Sequence, residues 1–464
     1  MKKEKSDIQL LYIDLFCGAG GTSSGVEYAR VDGMKCAEVI ACVNHDKNAI
    51  LSHQANHPHT LHFTEDIRTL ELSPMVEHLQ KMKANYPTAK VVLWASLECT
   101  NFSKAKGGQP RDADSRTLAE HLFRYIEALR TDYIQIENVE EFMCWGALDE
   151  NGRPVSKDQG SDYLRWVRKV RSYGYDFDWR ILNAADFGAY TSRKRFFGLF
   201  AKKGLPIAFP HQTYAKPTVA FASQVVGNLF PDQYKPWKPV REVLDLDDDG
   251  ESIFVRRKPL CEKTLERIYA GLVKFVAGGK KQHEQFMMRY NTVRAQDTVK
   301  SIDEPCGVVT TENRFAKVKC QFLSKQFSGD PDSKNIDIEQ PAGTVTTIDH
   351  HAFVTAYYGN GVNSSIDSPA PTVTTKEGVV GIAIYDDDSP WTRRVKEFMA
   401  AYGIVDICMR MLNIGELKRI MGFPTDYVLI GTQAEQKKYI GNAVEVNMSR
   451  VLCEALSERL RQIA

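Results

Sequence analysis

A cysteine among small and polar residues follows one of the apolar runs of this sequence. Cys99 lies in the segment Ala95–Ser103, directly after Val91-Val92-Leu93-Trp94. A cysteine thiolate attacks electrophilic carbon, and a helix N-terminus or a nearby cation stabilises that thiolate. Most isolated cysteines are instead small buried apolar residues. The chemistry of Cys99 therefore depends on which residues the fold brings to it.

A carboxylate and two guanidinium groups follow Cys99 in the chain. Glu137 ends an apolar run, where a carboxylate is costly to bury unless it is paired. Arg193 and Arg195 stand at alternate positions leading into a candidate strand, so they point to the same face. They are candidates for the activating cation, with ordinary salt bridging as the alternative. Glu98 opposes activation if its carboxylate points toward the thiol.

A glycine-rich turn precedes Cys99. Gly18, Gly20 and Gly21 follow a candidate strand and precede a helical stretch. Glycine there lets the chain turn tightly and lets a ligand approach the backbone, and the helix N-terminus favours an anion. Ser23 stands where a dinucleotide-binding motif has its third glycine, so a tight turn without a ligand is the alternative.

Polar residues also end or follow other apolar runs. Asn44 ends the second candidate strand, and Asp66 follows Glu65 near another strand end. The carboxyl ends of parallel strands are where ligand hydroxyls and amines bind in such sheets. The alternative for both residues is capping of a helix or a turn.

These residues must be positioned by alternating strands and helices. The apolar runs predict strands at Leu10–Phe16, Glu38–Asn44, Val91–Ser96, Tyr133–Glu137, Asp178–Ala184 and Phe196–Ala201. Amphipathic stretches predict helices near 23–31, 46–55, 74–85, 115–130 and 161–173. Ser24 and Glu27 have capping-box spacing, and Asp46 can cap the second helix. This alternation predicts an α/β fold, a mostly parallel sheet with helices on both faces.

Composition limits the class of protein. The chain has 464 residues and a net charge of +1, so a nucleic-acid partner must be bound by a local basic face. The ten cysteines are scattered, with no C-x-x-C pair and no Cys/His cluster at zinc spacing, which favours reduced thiols and argues against a disulfide framework or structural zinc, so we expect no metal. The N-terminal apolar run is too short for a signal peptide, and no run reaches the length of a membrane helix. We expect a cytoplasmic protein without a membrane partner.

The character of the sequence changes near residue 204. A Pro-rich stretch is followed by a weak repeat, in which Pro305–Thr311 resembles Pro341–Thr347 and Pro369–Thr375. Residues 250–325 contain 15 Lys and Arg against 8 Asp and Glu, whereas residues 326–400 contain 5 against 11. The basic half suits a phosphate backbone, although a solvated face is the alternative. We expect a β-rich domain inserted before helices at 391–402, 413–421 and 445–463, the last of which packs on the first domain.

The ordered set of segments resembles the DNA (cytosine-5)-methyltransferases across nearly the whole chain. The segments that carry the resemblance are Asp14–Gly21, Ser96–Ser103, Glu137-Asn138-Val139, Thr191–Arg195, Arg410–Pro424 and Gly441–Val444. The resemblance implies a Rossmann-like S-adenosylmethionine-dependent methyltransferase sheet with an inserted target-recognition domain. It places the catalytic and cofactor-binding domain at 1–249, the recognition domain at 250–408, and a return segment at 409–464.

The resemblance also assigns roles. Cys99 would attack C6 of a cytosine flipped out of duplex DNA, Glu137 would hold N3 and the exocyclic amine, and Arg193 and Arg195 would bind O2 or a phosphate. Asn138 belongs to the same catalytic set. S-adenosylmethionine would be bound by Phe16, Gly18, Ala19, Gly20, Asn44, His45, Asp66, Ile67, Asn442, Ala443 and Val444. A cognate restriction endonuclease and action as a monomer on DNA are compatible with the family.

Some positions depart from the family pattern. The family has Pro where Glu98 stands, Gln where Thr191 stands and usually Glu where Asn44 stands. Two alternatives therefore stay open beside the DNA methyltransferase: a DNA-binding protein on a catalytically impaired scaffold, and an RNA cytosine-5 methyltransferase of the same fold. The DNA target sequence and the base that removes the C5 proton are not assigned by the sequence.

Overall fold

The structure is a computed structural model. It describes residues 6–97, 118–147, 155–156, 159–225, 234–273, 384–385, 387–402 and 404–463, together with separate strands between 285 and 358. Cys99 and Glu98 lie outside the described residues, as do most residues of the three repeat segments.

One sheet organises the first part of the chain. Its strands are β1 (Ser6–Leu15), β2 (Arg30–Val31), β3 (Met34–Val43), β4 (Leu61–Phe63), β5 (Lys90–Ser96), β6 (Tyr133–Asn138), β7 (Tyr175–Asn183) and β8 (Lys194–Lys202). The order is β2-β3-β1-β5-β6-β8-β7, and β4 also pairs with β3. The pairs β3–β4, β1–β3, β1–β5 and β5–β6 are parallel, whereas β8 is antiparallel to both β6 and β7. The predicted, mostly parallel sheet is confirmed.

Helices cover both faces of this sheet. They are α1 (Gly21–Tyr28), α2 (Lys47–Asn56), α3 (Ser73–Asn85), α4 (Leu122–Leu129) and α5 (Ser161–Ser172). Alternate residues of β1 enter different cores: Leu11 packs with α3, α4 and α5 residues, whereas Tyr12 packs with Val26 of α1. Strands covered on both faces read as continuous apolar runs, which is why the sequence revealed them.

The starts of two helices test the capping signals. The Asp46 carboxylate accepts from the backbone N–H groups of Asn48 and Ala49, so it caps α2 as predicted. The prediction for Ser24 is wrong, because α1 already begins at Gly21 and the Ser24 hydroxyl donates to the Gly20 carbonyl. Glu27 is used differently: its carboxylate accepts from the Val39 N–H of β3.

A second sheet follows the elements α6 (Pro217–Val225), β9 (Tyr214–Ala215) and β10 (Lys235–Pro236). It contains β11 (Glu251–Ser252), β12 (Gln285–Arg289), β13 (Val299–Glu304), β14 (Phe315–Lys319), β15 (Phe322–Lys325), β16 (Asn335–Ile336), β17 (Ile338–Pro341), β18 (His351–Tyr358) and β19 (Ile404–Met411). The helices α7 (Glu262–Leu272) and α8 (Pro390–Tyr402) accompany it. A β-rich unit between two segments of α/β structure is therefore present in this part of the chain.

The chain then returns to the first sheet through α9 (Ile414–Ile420), α10 (Gln433–Asn442) and α11 (Val446–Arg461). Leu452 and Leu456 of α11 share a core with Val26 of α1, and Gly25 lets the two helices approach because a Cβ there would meet the Val446 carbonyl. The predicted packing of the last helix on the first domain is confirmed. Within the described residues, no helix is both long enough and apolar enough to cross a membrane.

Candidate active site

The strand register brings the expected site residues to one edge of the first sheet. The residues paired there, strand by strand, are Phe63 with Val43, Val43 with Leu15, Leu15 with Ala95, and Ser96 with Glu137. Because β1 and β3–β6 are parallel to one another, this edge holds all of their carboxyl ends. Ligands bind at such an edge in open α/β sheets.

Glu137 is a buried carboxylate at this edge, only 4% exposed. Its Oε1 lies 3.2 Å from Nε of Arg195 and 3.9 Å from a terminal nitrogen of Arg193. Both arginines reach Glu137 because Arg193 directly precedes β8 and Arg195 is its second residue, and β8 pairs with β6. Among the described residues, neither Glu137 Oε1 nor Arg195 Nε has a hydrogen bond of good geometry. The carboxylate is thus charge-compensated but still able to accept a hydrogen bond.

Arg193 also connects the site to the end of the chain. Its guanidinium is almost fully buried and donates to the Gly441 carbonyl over 3.1 Å. Gly441 opens the Gly441–Val444 segment, so Arg193 joins β8 to the return segment. The two predicted catalytic arginines therefore have different surroundings, since Arg195 is the more exposed.

Asn138 organises the chain that leads to Cys99. Its side-chain amide donates to the Leu97 carbonyl over 3.4 Å, and its oxygen accepts from the Val139 N–H. Leu97 is the last described residue before Glu98 and Cys99. Asn138 thus connects the carboxyl ends of β5 and β6, two residues before the candidate nucleophile Cys99 in the chain.

The glycine-rich loop has an open side and a packed side. Phe16 and Gly18 both have positive φ, and a Cβ at Gly18 would meet nothing within 4 Å. Gly20, at φ +103°, is enclosed instead, since a Cβ there would collide with the Tyr427 hydroxyl. The loop therefore presents the Gly18 backbone to open space, as a cofactor that lies against the backbone requires.

Tyr427 is a site residue that the sequence did not reveal. Its hydroxyl donates to the Ala19 carbonyl over 2.5 Å and also contacts His57. Burial raises the pKa of Tyr427 far above its usual range, so the group stays a neutral donor. Tyr427 and Ala19 are 408 residues apart in the chain, and no local pattern signals their contact.

The Gly441–Val444 segment packs against the glycine-rich loop. A Cβ at Gly21 would meet the Val444 carbonyl at 2.5 Å and the Ala443 Cβ at 3.0 Å. Val444 is buried, whereas Asn442 is exposed at the end of α10. The structure thus brings the two ends of the predicted cofactor site together.

Asn44 and His45 follow β3 on the other side of the loop. The Asn44 side-chain oxygen accepts from the Asp46 N–H over 2.9 Å, and the Asn44 N–H donates to the Phe63 carbonyl. His45 is exposed. The capping role that the sequence left open for Asn44 is therefore present, and its amide nitrogen is the group that can serve a ligand.

Asp66 and Ile67 follow β4. The Asp66 carboxylate accepts from the Arg68 guanidinium at both oxygens, and this pairing holds the pKa of Asp66 below its usual range. The Ile67 side chain is buried in the core, and its carbonyl accepts from the Tyr125 hydroxyl. This turn is fixed by contacts on both sides of the backbone.

Comparison with known proteins matches nearly the whole chain to one family. The family model for C-5 cytosine-specific DNA methylase matches residues 10–458. The type II methyltransferase M.SacI of Streptomyces achromogenes is 22% identical over 97% of this chain and 94% of its own length. The putative type II methyltransferase M.OihORF3336P of Oceanobacillus iheyensis is 26% identical over 97% of this chain and 95% of its own.

A solved structure shares the fold. The structure of a mutant of Spodoptera frugiperda DNMT2 covers 96% of this chain and 99% of its own, with a TM-score of 0.50 and 15% identity. With a family model that spans the glycine-rich loop, the Glu137 edge and the return segment, the chain belongs to the C-5 cytosine-specific DNA methylase family, the S-adenosylmethionine-dependent DNA cytosine C5-methyltransferases.

Proposed function

We propose that this chain methylates C5 of a cytosine flipped out of a specific duplex DNA site, through a covalent bond between Cys99 and C6. The observation that carries the proposal is the pairing of Ser96 with Glu137 at the carboxyl edge of the sheet. It brings the chain segment leading to Cys99 beside a buried carboxylate that two arginines compensate. C5 and C6 cannot be reached inside the base stack, so the base must leave it.

The reaction needs a nucleophile and a group that stabilises charge on the ring. The Cys99 thiolate forms a bond to C6, and the electron pair of the C5–C6 double bond moves toward C5. Glu137 accepts a hydrogen bond from the exocyclic amine and, in its protonated form, donates one to N3, so it stabilises the negative charge that develops on the ring during addition. Arg195 keeps the carboxylate in place. Because its guanidinium is more exposed than that of Arg193, Arg195 is also the arginine that binds O2 of the cytosine or a phosphate. After C5 gains the methyl group, a base removes the C5 proton and Cys99 leaves.

Two residues act on this site through others. Asn138 holds the Leu97 carbonyl and thereby positions the segment that carries Cys99. Arg193 holds the Gly441 carbonyl and thereby joins the catalytic and cofactor sides of the site. We propose both as positioning residues.

The residues at the loop fit S-adenosylmethionine, which supplies an electrophilic methyl group when bound. Phe16 and Gly18 would offer the open backbone of the loop to the methionine and ribose, and Ala19 and Gly20 would complete this binding loop from its packed side. Asn44 and His45 would bind the ribose and adenine, and Asp66 with Ile67 would bind the adenine edge. Asn442, Ala443 and Val444 would close the methionine end.

We further propose that residues 250–408 read the DNA sequence and that 1–249 and 409–464 form the catalytic unit. The basic balance of residues 250–325 supports contact with the phosphate backbone. The names of type II relatives support a cognate restriction endonuclease as a partner, and action on DNA as a monomer completes this proposal.

Transfer of a tritiated methyl group to duplex DNA tests the mechanism. The unmodified protein should label DNA, and Cys99→Ala should label it at least about 10³-fold more slowly, because it lacks the nucleophile. Cys36→Ala, which removes a buried cysteine near the start of β3 and so at the opposite edge of the sheet, is the matched control. DNA containing 5-fluorocytosine should form a covalent complex only when Cys99 is present, since fluorine cannot leave C5 as a proton does.

The other outcomes separate the remaining hypotheses. Methyl transfer that survives in Cys99→Ala contradicts the covalent mechanism. Tight DNA binding without transfer by the unmodified protein would indicate an impaired scaffold, to which Glu98 and Thr191 would contribute. Labelling of tRNA in preference to duplex DNA would indicate the RNA methyltransferase.

A further inference from the structure

Four side chains with sulfur and nitrogen atoms converge behind the glycine-rich loop. Cys17 belongs to the loop, Cys42 lies near the end of β3, His53 lies on α2 and His62 lies on β4. Cys17, Cys42 and His53 are buried. None of the four has a part in the proposed methyl transfer, so their convergence needs another explanation.

The distances resemble those among the ligands of one metal ion. The ligand atoms of Cys17, Cys42 and His53 all lie within 4.8 Å of one another. His53 Nδ1 is 3.7 Å from the Cys42 sulfur and 2.9 Å from His62 Nε2. Tetrahedral zinc separates a sulfur and a nitrogen ligand by roughly 3.5 Å and two nitrogens by roughly 3.3 Å. The sulfur–nitrogen pair therefore already fits, and the histidine pair would have to open by about 0.4 Å.

A hydrogen-bond chain fixes the orientation of the His53 ring. The Ser23 hydroxyl donates to the buried Asp14 carboxylate over 2.8 Å, so its oxygen can accept from His53 Nε2, which lies 2.9 Å away. Nε2 then carries the ring hydrogen, and Nδ1 presents a lone pair to Cys42 and His62. Histidines that bind metals are held in this way, with the other ring nitrogen donating to an oxygen.

We propose that Cys17, Cys42, His53 and His62 bind one zinc ion. Two thiolates and two neutral imidazoles around Zn²⁺ have no net charge, which is the arrangement that a buried site tolerates. Binding releases the two thiol protons to solvent and oxidises nothing. The ion would tie the glycine-rich loop to β3, α2 and β4. Metal binding is independent of methyl transfer, so this proposal and the proposed function can fail separately.

Metal content tests the proposal directly. The full-length protein, prepared with zinc and dialysed against metal-free buffer, should contain about one zinc per chain by elemental analysis. Cys42→Ser and His62→Gln should each lower this content at least about tenfold, because each removes a ligand. Their matched controls are Cys36→Ser, at a buried cysteine earlier in β3, and His59→Gln, at an exposed histidine. Both controls should keep the zinc.

Cobalt substitution does not depend on the folding of any variant. The unmodified protein loaded with Co²⁺ should show sulfur-to-cobalt charge transfer in the near ultraviolet and the visible bands of a tetrahedral ion. Zinc below about 0.1 equivalent together with absent cobalt bands would overturn the proposal. Equal zinc in Cys42→Ser, His62→Gln and the controls would also overturn it. A disulfide between Cys17 and Cys42, detected by mass spectrometry in protein prepared under reducing conditions, would do the same.

Discussion

At the scale of single residues, the site depends on a buried carboxyl group that lies beside two guanidinium groups. Glu137 sits at the end of a fully buried strand, and the cost of removing its charge from water is offset by Arg195 and Arg193. Ion pairing alone would make it a structural group. Its Oε1 has no well-aligned hydrogen bond among the described residues, which leaves it able to accept one from a base.

Glu137→Gln should show whether Glu137 only pairs with the two arginines or also acts on the cytosine. The amide keeps the shape but cannot pass a proton to N3, so we expect methyl transfer under single-turnover conditions to fall about 10²- to 10³-fold. Affinity for S-adenosylmethionine should change less than about threefold, because the substitution lies on the cytosine side of the site. A rate within about threefold of the unmodified protein, measured by rapid quench, would contradict the assigned role.

Glu140→Gln is the matched control for this measurement. Glu140 lies three residues further along, in a short helical turn, and is only half-buried. Its substitution should leave the transfer rate unchanged. Thermal melting of both variants shows whether a loss of rate reflects unfolding, since Glu137→Gln leaves two guanidinium groups without their carboxylate.

At the residue scale the sequence was informative where the evidence is local, although the ion pairing now seen for the two arginines was its alternative to a catalytic role. Alternate spacing placed Arg193 and Arg195 together, and the strand end placed Glu137 beside them. The contact of Tyr427 with the Ala19 carbonyl could not be predicted, because it joins positions that only the complete fold brings together. The buried group of Cys17, Cys42 and His53 was missed for the same reason: its members are on different elements without a recognised spacing.

At the scale of elements, a strand or helix is predictable from sequence when it has a long apolar run or recognisable capping residues. The long strands β1, β3 and β5 were predicted because covered strands are almost continuously apolar. β4 was not given bounds, because Leu61–Phe63 is only three residues long. α10 is polar and was missed, although Thr432 and Glu435 form a capping box at its start. Ser24 and Glu27 show the reverse error, a capping-box spacing inside a helix that begins earlier.

Glu445, the residue directly before α11, makes the free energy of unfolding depend on pH. Glu445 is fully buried and caps the helix by accepting from the Met448 N–H. Burial raises its pKa from 4.5 to about 7, although the backbone hydrogen bonds act in the opposite direction. Between those two values the folded state binds more protons than the unfolded state, so the free energy of unfolding must decrease as the pH rises through this interval.

Glu445→Gln should remove this pH dependence. The amide oxygen can still accept from the Met448 N–H, but the side chain no longer ionises. Relative to this variant, the unmodified protein should lose on the order of 3 kcal/mol of unfolding free energy between pH 4.5 and pH 7. Urea unfolding at several pH values measures the difference. Glu458→Gln, at an exposed position of the same helix, should follow the unmodified protein, and parallel curves for Glu445→Gln and the unmodified protein would contradict the assignment.

At the scale of the whole molecule, the charge distribution supports the proposed DNA contact in one region. The whole chain has a net charge of only +1, so its surface as a whole does not attract a polyanion. Residues 250–325, in contrast, have a net charge of +7. Within the described part of this region, Arg257 and Lys258 are exposed between β11 and α7. They are candidates for contacts with phosphates, which set affinity but not sequence preference.

Replacing Arg257 and Lys258 together by Gln should therefore weaken binding to all duplex sequences alike. Each lost phosphate contact should reduce the slope of log K against log salt concentration by about 0.9, so the double variant should lose up to about 1.8. Arg168→Gln with Arg171→Gln removes the same charge from α5. That helix leads into the start of β7, at the edge of the sheet opposite Glu137, so the control should keep the original slope. Fluorescence anisotropy across a salt series measures both slopes, and equal slopes for the two double variants would place the DNA elsewhere on the molecule.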